Sequence, residues 1–149
     1  MLQRKQSLYL LVSMLLILSN LVNPFISVDN LIFTAFKLQQ IGTADPISLS
    51  TFPIAIYIII LTLLHIFTIM LFKKRTLQMR FAMLSLFLSV GFYGILFFYH
   101  FMSKDVVSIE FNQYGFGLVS PVLAAVFDFM AYKGIKKDEK LVRDSERFR

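Results

Sequence analysis

The sequence contains no cysteine and no tryptophan, and only 16% of its 149 residues are charged. Without cysteine, thiol catalysis, disulfide bridges, iron–sulfur clusters and cysteine-ligated zinc sites are excluded. Acidic residues are scarce, 9 against 15 lysines and arginines, and 57% of the chain is hydrophobic. This composition is not that of an ordinary soluble domain. Together with a mean hydropathy of +0.70, it predicts a membrane protein.

Four stretches are apolar and long enough to cross a bilayer, which requires about 20 residues per helix. They are residues 8–26, 53–72, 81–101 and 116–132. The length of the chain suits one domain. We therefore expect residues 1–149 to form a single all-α membrane domain, a bundle of four transmembrane helices that is followed by a charged tail, 133–149.

The first stretch could instead be a cleaved signal peptide, because Arg4 and Lys5 precede the apolar run. No small-x-small cleavage site follows that run, so a retained helix is expected. Asn23 and Pro24 are expected to break its outer end.

The basic residues predict the orientation of the four spans, because cytoplasmic segments carry an excess of lysine and arginine. Of the 15, 13 fall on one side, and only Lys37 and Lys104 fall on the other. Both termini are therefore expected in the cytoplasm. The 13 residues are Arg4, Lys5, Lys73, Lys74, Arg75, Arg80, Lys133, Lys136, Lys137, Lys140, Arg143, Arg147 and Arg149.

The basic charge does not predict nucleic-acid binding, because it lies at the cytoplasmic margins of the spans and no basic patch is interleaved with aromatic residues. Such margins attract the anionic head groups of the bilayer's lipids. Lipid is therefore the expected partner, and nucleic acid is not.

Two outer loops, 27–52 and 102–115, are too small for a separate domain. Each contains a run that is rich in β-branched and aromatic residues, 31–38 and 106–111, so short strands that pair into a small sheet are one expectation. A helix over 29–40 is the alternative.

Asp128 is the most informative residue, because a carboxylate within a span normally faces the interior of the bundle and has a partner. Helical periodicity places Gly117, Pro121, Ala124 and Ala131 on its face. Valines occupy the other side of this helix. Such a small-residue face allows helices to approach closely.

Depth counted at 1.5 Å per residue places three further polar residues near Asp128: His65 on the second span, and Ser85 and Ser89 on the third. We predict that His65 and Asp128 face a common interior with Ser85 or Ser89 beside them.

This intramembrane cluster has three interpretations: interhelical hydrogen bonding, a proton-linked role for Asp128 and His65, and serine hydrolysis. No nucleophile motif supports hydrolysis. The two histidines, His65 and His100, lie near opposite membrane faces and cannot share a metal ion. No catalytic residue, metal or cofactor is predicted.

The tail, 133–149, reads as a charged helix with a weak apolar side formed by Leu141, Val142 and Phe148. It is either a solvated helix near the head groups or a docking element for a partner. The residues predicted to form a cytoplasmic interaction surface are Arg75, Arg80, Asp138, Glu139, Arg143 and Arg147.

Both ends and the middle of the chain resemble a known family. The quoted segments are MLQRKQSLYLL at 1–11, FKKRTLQMR at 72–80, GFYG at 91–94 and KKDEKLVRDSERFR at 136–149. They resemble the signatures of the domain of unknown function family 4293, small four-span membrane proteins of Bacteroidota.

The tail departs from the family pattern conservatively, with Glu146 and Phe148 where Asp and Leu are usual. The resemblance implies membership and an inner-membrane location. It implies no activity and no site residues, because none is assigned to the family.

The function expected from these observations is that of a non-enzymatic accessory or scaffold subunit of a membrane complex, whose basic loop and tail bind a membrane-protein partner. The alternative is a small proton-linked transporter or channel, as a homo-oligomer, that uses Asp128 and His65.

Overall fold

The computed structural model describes residues 5–28, 31–40, 48–103 and 115–147. Helices α1 (Lys5–Ser19), α2 (Phe52–Met70), α3 (Arg75–Ser103) and α4 (Phe116–Arg147) make up most of it. Strands β1 (Ile26–Val28), β2 (Leu31–Phe33), β3 (Lys37–Gln40) and β4 (Ser48–Ser50) lie between α1 and α2. A 3₁₀ helix, Leu71–Lys73, leads from α2 towards α3.

The helices pack as a ring in chain order. The principal contacts join α1 to α2, α2 to α3, α3 to α4 and α4 back to α1. Helices α2 and α4 therefore lie diagonally opposite each other, as do α1 and α3. Any contact between side chains of α2 and α4 must cross the centre of the bundle.

The bundle carries large apolar side chains on its perimeter and small or polar ones inside. Phe97 is 67% exposed and Phe87 63% exposed, whereas His65 and Asp128 are 0% exposed. In water this distribution would be unfavourable, but in lipid it is the expected one. By length and composition, the segments Phe52–Lys73, Arg75–Met102 and Phe116–Asp144 are able to cross a membrane.

The first apolar stretch differs from the predicted span at 8–26, because its helix ends at Ser19 and Ile26 already belongs to β1. The Asn20 side chain explains the end of the helix: its Nδ2 donates to Leu16 O at 3.0 Å and to Ile17 O at 3.2 Å. These carbonyls belong to the last turn of the helix, where regular helical partners are missing, and Ile17 O also accepts from Asn20 N–H at 3.1 Å. At 15 residues, α1 is about 22 Å long, shorter than the three other helices.

The four strands form one antiparallel meander in the order β1-β2-β3-β4. The single strand predicted at 31–38 is in fact two strands, and the alternative helix over 29–40 is wrong for the described part of that range. Thr34 makes the turn, since its Oγ1 accepts from Lys37 N–H at 3.2 Å and its own N–H donates to Lys37 O at 2.9 Å. The strand predicted at 106–111 lies outside the described residues.

Phe25 joins the sheet to the helices. Its N–H donates to Phe33 O at 2.8 Å, and its ring centroid lies 5.3 Å from that of Phe33 and 5.7 Å from that of Phe92 on α3. Its carbonyl accepts from Gly115 N–H at 2.9 Å, just before α4 begins. The buried faces of β1, β2 and β3 thereby continue into the helical core.

Gly117 allows α4 to begin against the Pro24 backbone. A Cβ at this position would lie 2.8 Å from Pro24 O and 2.8 Å from Phe25 Cδ1. We expect Gly117→Ala to lower the free energy of unfolding by about 1–3 kcal/mol, the usual effect of overpacking. The measurement is unfolding of the purified protein in detergent micelles, followed by far-ultraviolet circular dichroism.

Gly94→Ala is the matched control, because nothing lies within 4 Å of a Cβ built at Gly94. Alanine is the better helix former by about 1 kcal/mol at most, so this variant should be neutral or slightly stabilised. Equal stability of the two variants would contradict the close approach at Gly117.

Candidate functional site

One polar side chain from each helix meets the others at the centre of the bundle. These side chains are Ser13 on α1, His65 on α2, Ser89 on α3 and Asp128 on α4, and all four are 0% exposed. We refer to these four residues as the polar core. His65 Nε2 lies 3.0 Å from Asp128 Oδ1 and 3.0 Å from Ser13 Oγ. Ser89 Oγ donates to Asp128 Oδ2 at 3.2 Å.

The His65–Asp128 contact is the diagonal one, between α2 and α4. Ser13 and Ser89 then attach the two remaining helices, and Ser13 Oγ also donates to Ala124 O on α4 at 3.1 Å. Because polar groups in lipid have no water to bind, each of these contacts satisfies a group that would otherwise be unpaired. The polar core therefore fixes the rotation of all four helices.

Helix α4 presents Asp128 on the face that periodicity predicted. Ala124 and Ala131 are 0% exposed on that face, whereas Val122 and Val126, on the other side, are 52% and 50% exposed. Small neighbours leave room for α1 and α3 to approach α4 closely. The Asp128 carboxylate can thus contact side chains from two other helices.

Hydrogen-bond partners define the protons on His65. Its Nδ1 lies 2.8 Å from Leu61 O, and a carbonyl only accepts, so this nitrogen carries a proton. Its Nε2 faces a carboxyl oxygen at 3.0 Å, and two bare acceptors at that distance would repel. One further proton is therefore shared between Nε2 and Asp128 Oδ1. The pair has zero net charge whichever atom holds that proton, which suits a site without water.

The arrangement of serine, histidine and aspartate differs from that of a hydrolase triad. In a triad, serine and aspartate contact opposite nitrogens of the histidine ring. Here Ser13 and Asp128 both contact Nε2, and Nδ1 binds the backbone. The histidine is therefore not placed to carry a proton from the serine towards the aspartate.

The structure brings three of the four predicted cluster residues together: His65, Ser89 and Asp128. Ser85 is buried, but its Oγ donates to Ala82 O on its own helix at 2.9 Å. Ser13 was not predicted. A possible signal was its spacing with Ser7, Leu10 and Ile17, which form the buried side of α1.

A second buried contact joins Asn20, the residue that follows α1, to α4 nearer the sheet. Ser120 Oγ donates to Asn20 Oδ1 at 2.9 Å, and both side chains are 0% exposed. Pro121 follows directly and has no N–H, so the carbonyl one turn earlier loses its helical partner. Ser120 Oγ lies 3.5 Å from that carbonyl, Gly117 O.

At the opposite end, Asp138 links α4 to α1 and α3. Gln6 Nε2 donates to Asp138 Oδ2 at 2.6 Å, and Arg75 Nη1 donates to the Asp138 carbonyl at 3.4 Å. These contacts hold the charged part of α4 beside the loop between α2 and α3.

An open cavity of about 640 Å³ lies between that loop and α4. We call it the basic cleft. It is lined by Lys73, Lys74, Arg75, Thr76, Leu77, Glu139, Val142 and Arg143.

Three of the predicted surface residues, Arg75, Glu139 and Arg143, line the basic cleft. Asp138 faces α1 instead, and Arg80 is exposed on α3 outside the cleft. Arg147 is the last residue of α4, and its side chain is not among those that the structure describes. No group of three or more residues able to hold a metal occurs within 5–28, 31–40, 48–103 and 115–147.

Long apolar helices with an exposed apolar perimeter and a buried polar core define the class of this chain as a helical membrane protein. It belongs to the domain of unknown function family DUF4293, whose family model matches residues 2–148. No curated protein and no solved structure matches the chain.

The His65–Asp128 contact can be measured by a double-mutant cycle. We expect His65→Leu and Asp128→Leu each to lower the free energy of unfolding by about 3–5 kcal/mol, because each leaves a buried polar partner unpaired. The double variant should lose less than the sum by at least about 1 kcal/mol. Strictly additive losses in detergent unfolding would show that the two side chains are not coupled.

A second test compares Ser89→Ala with Ser85→Ala as its control. Both serines are buried on α3, and of the two only Ser89 contacts Asp128. Ser89→Ala should lose about 1 kcal/mol. Ser85→Ala should lose less than about 0.5 kcal/mol, because it gives up only a bond within its own helix. The reverse order would contradict the assignment of Ser89 to the polar core.

Proposed function

We propose that this protein is a four-span protein of the inner membrane of a Bacteroidota bacterium, with both termini in the cytoplasm. It acts as a non-enzymatic accessory or scaffold subunit of a larger membrane complex. The bundle anchors the chain, and the cytoplasmic end of α4 binds the partner. The observation that carries this proposal is the length and surface of α4.

Helix α4 continues for 15 residues beyond Tyr132, the predicted end of the span, to Arg147. That is about 22 Å of helix, which extends beyond the hydrocarbon. Within this charged segment Leu141 is 62% exposed. Amphipathic helices that enter a groove on a partner use apolar side chains of this kind as anchors.

Helix α1 serves as the fourth span in this proposal. Leu8 and Leu15 are 50% and 51% exposed, like the perimeter of the longer helices, while Ser13 enters the polar core. The turn after Ser19 and the buried Phe25 extend the apolar path beyond the end of the helix. A bilayer also adapts to a short span by thinning locally.

The alternative, a proton-linked transporter or channel that uses His65 and Asp128, has less support from the geometry. A transport site needs access from each side in turn. Among the described residues, all four members of the polar core are fully buried, and the basic cleft does not include them. These contacts favour a structural role, in which the polar core holds the helices together.

The absence of cysteine from the sequence makes the topology simple to test, because each introduced cysteine is the only thiol. Ser27 in β1 and Lys137 on α4 are both exposed. In spheroplasts, a membrane-impermeant maleimide should label Ser27→Cys directly and Lys137→Cys only after permeabilisation. Labelling of Lys137→Cys in intact spheroplasts would overturn the proposed orientation.

Partner binding is tested by purification in mild detergent with a tag in an outer loop, which leaves the tail free, followed by native mass. We expect a stoichiometric complex that is lost in Leu141→Ser. Truncation of an anchoring side chain usually weakens an interface by about 2 kcal/mol, roughly 30-fold in Kd.

Val22→Ser is the control, since Val22 is 85% exposed at the other end of the bundle and should leave the complex intact. A wild-type protein that purifies alone or as a homo-oligomer would overturn the accessory role. Proton flux that is abolished by Asp128→Asn in a lone protein would establish the transporter instead.

A further inference from the structure

We propose that the basic cleft is a binding site for the phosphate-bearing head group of an anionic phospholipid of the cytoplasmic leaflet. The inference rests on the membrane topology proposed above. It adds a defined site for the anionic lipid that the sequence predicts as a partner, and it does not depend on a protein partner.

The charge of the basic cleft is strongly one-sided. Four cations line it, Lys73, Lys74 and Arg75 from the loop and the start of α3, and Arg143 from α4, against a single acid, Glu139. The first turn of α3 carries no acidic residue, so nothing on that helix neutralises the cations. Lysine and arginine are the side chains that bind phosphate, arginine through a planar fork and lysine as a point charge.

The cleft is held in shape by contacts of Asp138, which does not line it. Asp138 accepts from Gln6, and its carbonyl accepts from Arg75. The charged segment of α4 is therefore fixed to α1 and to the start of α3. Cations from separate segments of the chain thus converge on one volume of about 640 Å³. The neighbouring cavity of about 650 Å³ differs, because its cations, Lys133, Lys136, Lys137, Lys140 and Arg143, all come from α4.

The position and lining of the cleft favour a lipid over a free anion. Arg75 lies six residues before Phe81, the predicted start of the third span, or about 9 Å along α3. This is the depth of the head groups beside a hydrocarbon core of roughly 30 Å. Leu77 and Val142 also line the cleft, and each is 37% exposed. A lipid presents both a phosphate for the cations and apolar chains for these two residues.

The test uses the full-length protein, purified and delipidated in a neutral detergent and titrated with phosphatidylglycerol under native mass spectrometry. We expect one lipid to bind tightly, with phosphatidylcholine binding much more weakly. Lys73→Gln/Lys74→Gln should weaken phosphatidylglycerol binding about 30-fold, because each basic residue near an anionic lipid contributes roughly a five-fold factor.

Lys5→Gln/Arg80→Gln is the matched control: it removes the same two charges from exposed positions outside the cleft. This variant should stay within about two-fold of the wild type, because solvent-exposed charges are screened beyond about 8–10 Å. Equal losses in the two double variants would overturn the site, since they would show an unlocalised effect of total charge.

Two further arms identify the ligand. Inorganic phosphate at about 10 mM should leave lipid binding unchanged, and displacement of the lipid would overturn the proposal in favour of a free-anion site. Phosphatidylcholine that binds as tightly as phosphatidylglycerol would also overturn it. Purified protein needs no partner, so failure here is separate from failure of the accessory role, which is tested at Leu141 outside the cleft.

Discussion

Hydrocarbon offers no hydrogen bonds to a side chain, and the arrangement of this bundle follows from that constraint at the His65–Asp128 contact. An unpaired histidine or aspartate side chain within the hydrocarbon has a high free-energy cost. Their contact at 3.0 Å leaves further acceptors and donors, which Ser13 and Ser89 satisfy from the two remaining helices. This diagonal contact orients α2 and α4, and the contacts of Ser13 and Ser89 with it orient α1 and α3.

Different kinds of contact hold the helices together at the two ends of the bundle. At the sheet end, closure is apolar and through the backbone: the Phe25 ring packs on Phe33 and Phe92, and its carbonyl binds Gly115 N–H. At the other end, closure is polar, through Gln6, Asp138 and Arg75. Polar closure at that end leaves cations exposed around the basic cleft, whereas the sheet buries its apolar face.

Much of the polar core could be predicted from the sequence, because a carboxylate in an apolar helix is rare and helical period places its neighbours. Depth counting then placed His65, Ser85 and Ser89 near Asp128. Ser85 and Ser89 lie one turn, about 6 Å, apart on the same face of α3. Depth counting placed Ser85 nearer to the level of Asp128, although Ser89 is the serine that contacts it. Ser13 was missed because a serine in an apolar helix is common and does not itself indicate which way it faces.

The sheet region was harder to predict for local reasons. Residues 20–25 include Leu21, Val22 and Phe25 and therefore extend the apolar run of α1, although Asn20 ends the helix through its own amide. The turn at Thr34 contains no glycine, proline or asparagine, the usual signals. It forms because Thr34 satisfies the Lys37 N–H and because Thr51 Oγ1 donates to Thr34 O at 2.9 Å. Thr51 lies 17 residues further along the chain, so no local pattern contains this partner.

The charged groups of this protein differ in their access to ligands outside the bundle. The His65–Asp128 pair has zero net charge and is buried among all four helices, so it produces only a weak electrostatic field outside the bundle. The cations of the basic cleft instead lie on separate segments and face one open volume. In physiological salt, exposed charges act on a ligand only over about 8 Å. The number of cations that face one volume therefore matters more for binding than the total number of cations on the surface. In the proposed function, recognition at this end would therefore follow from how α4 is held beside the α2–α3 loop, with the polar core fixing that helix.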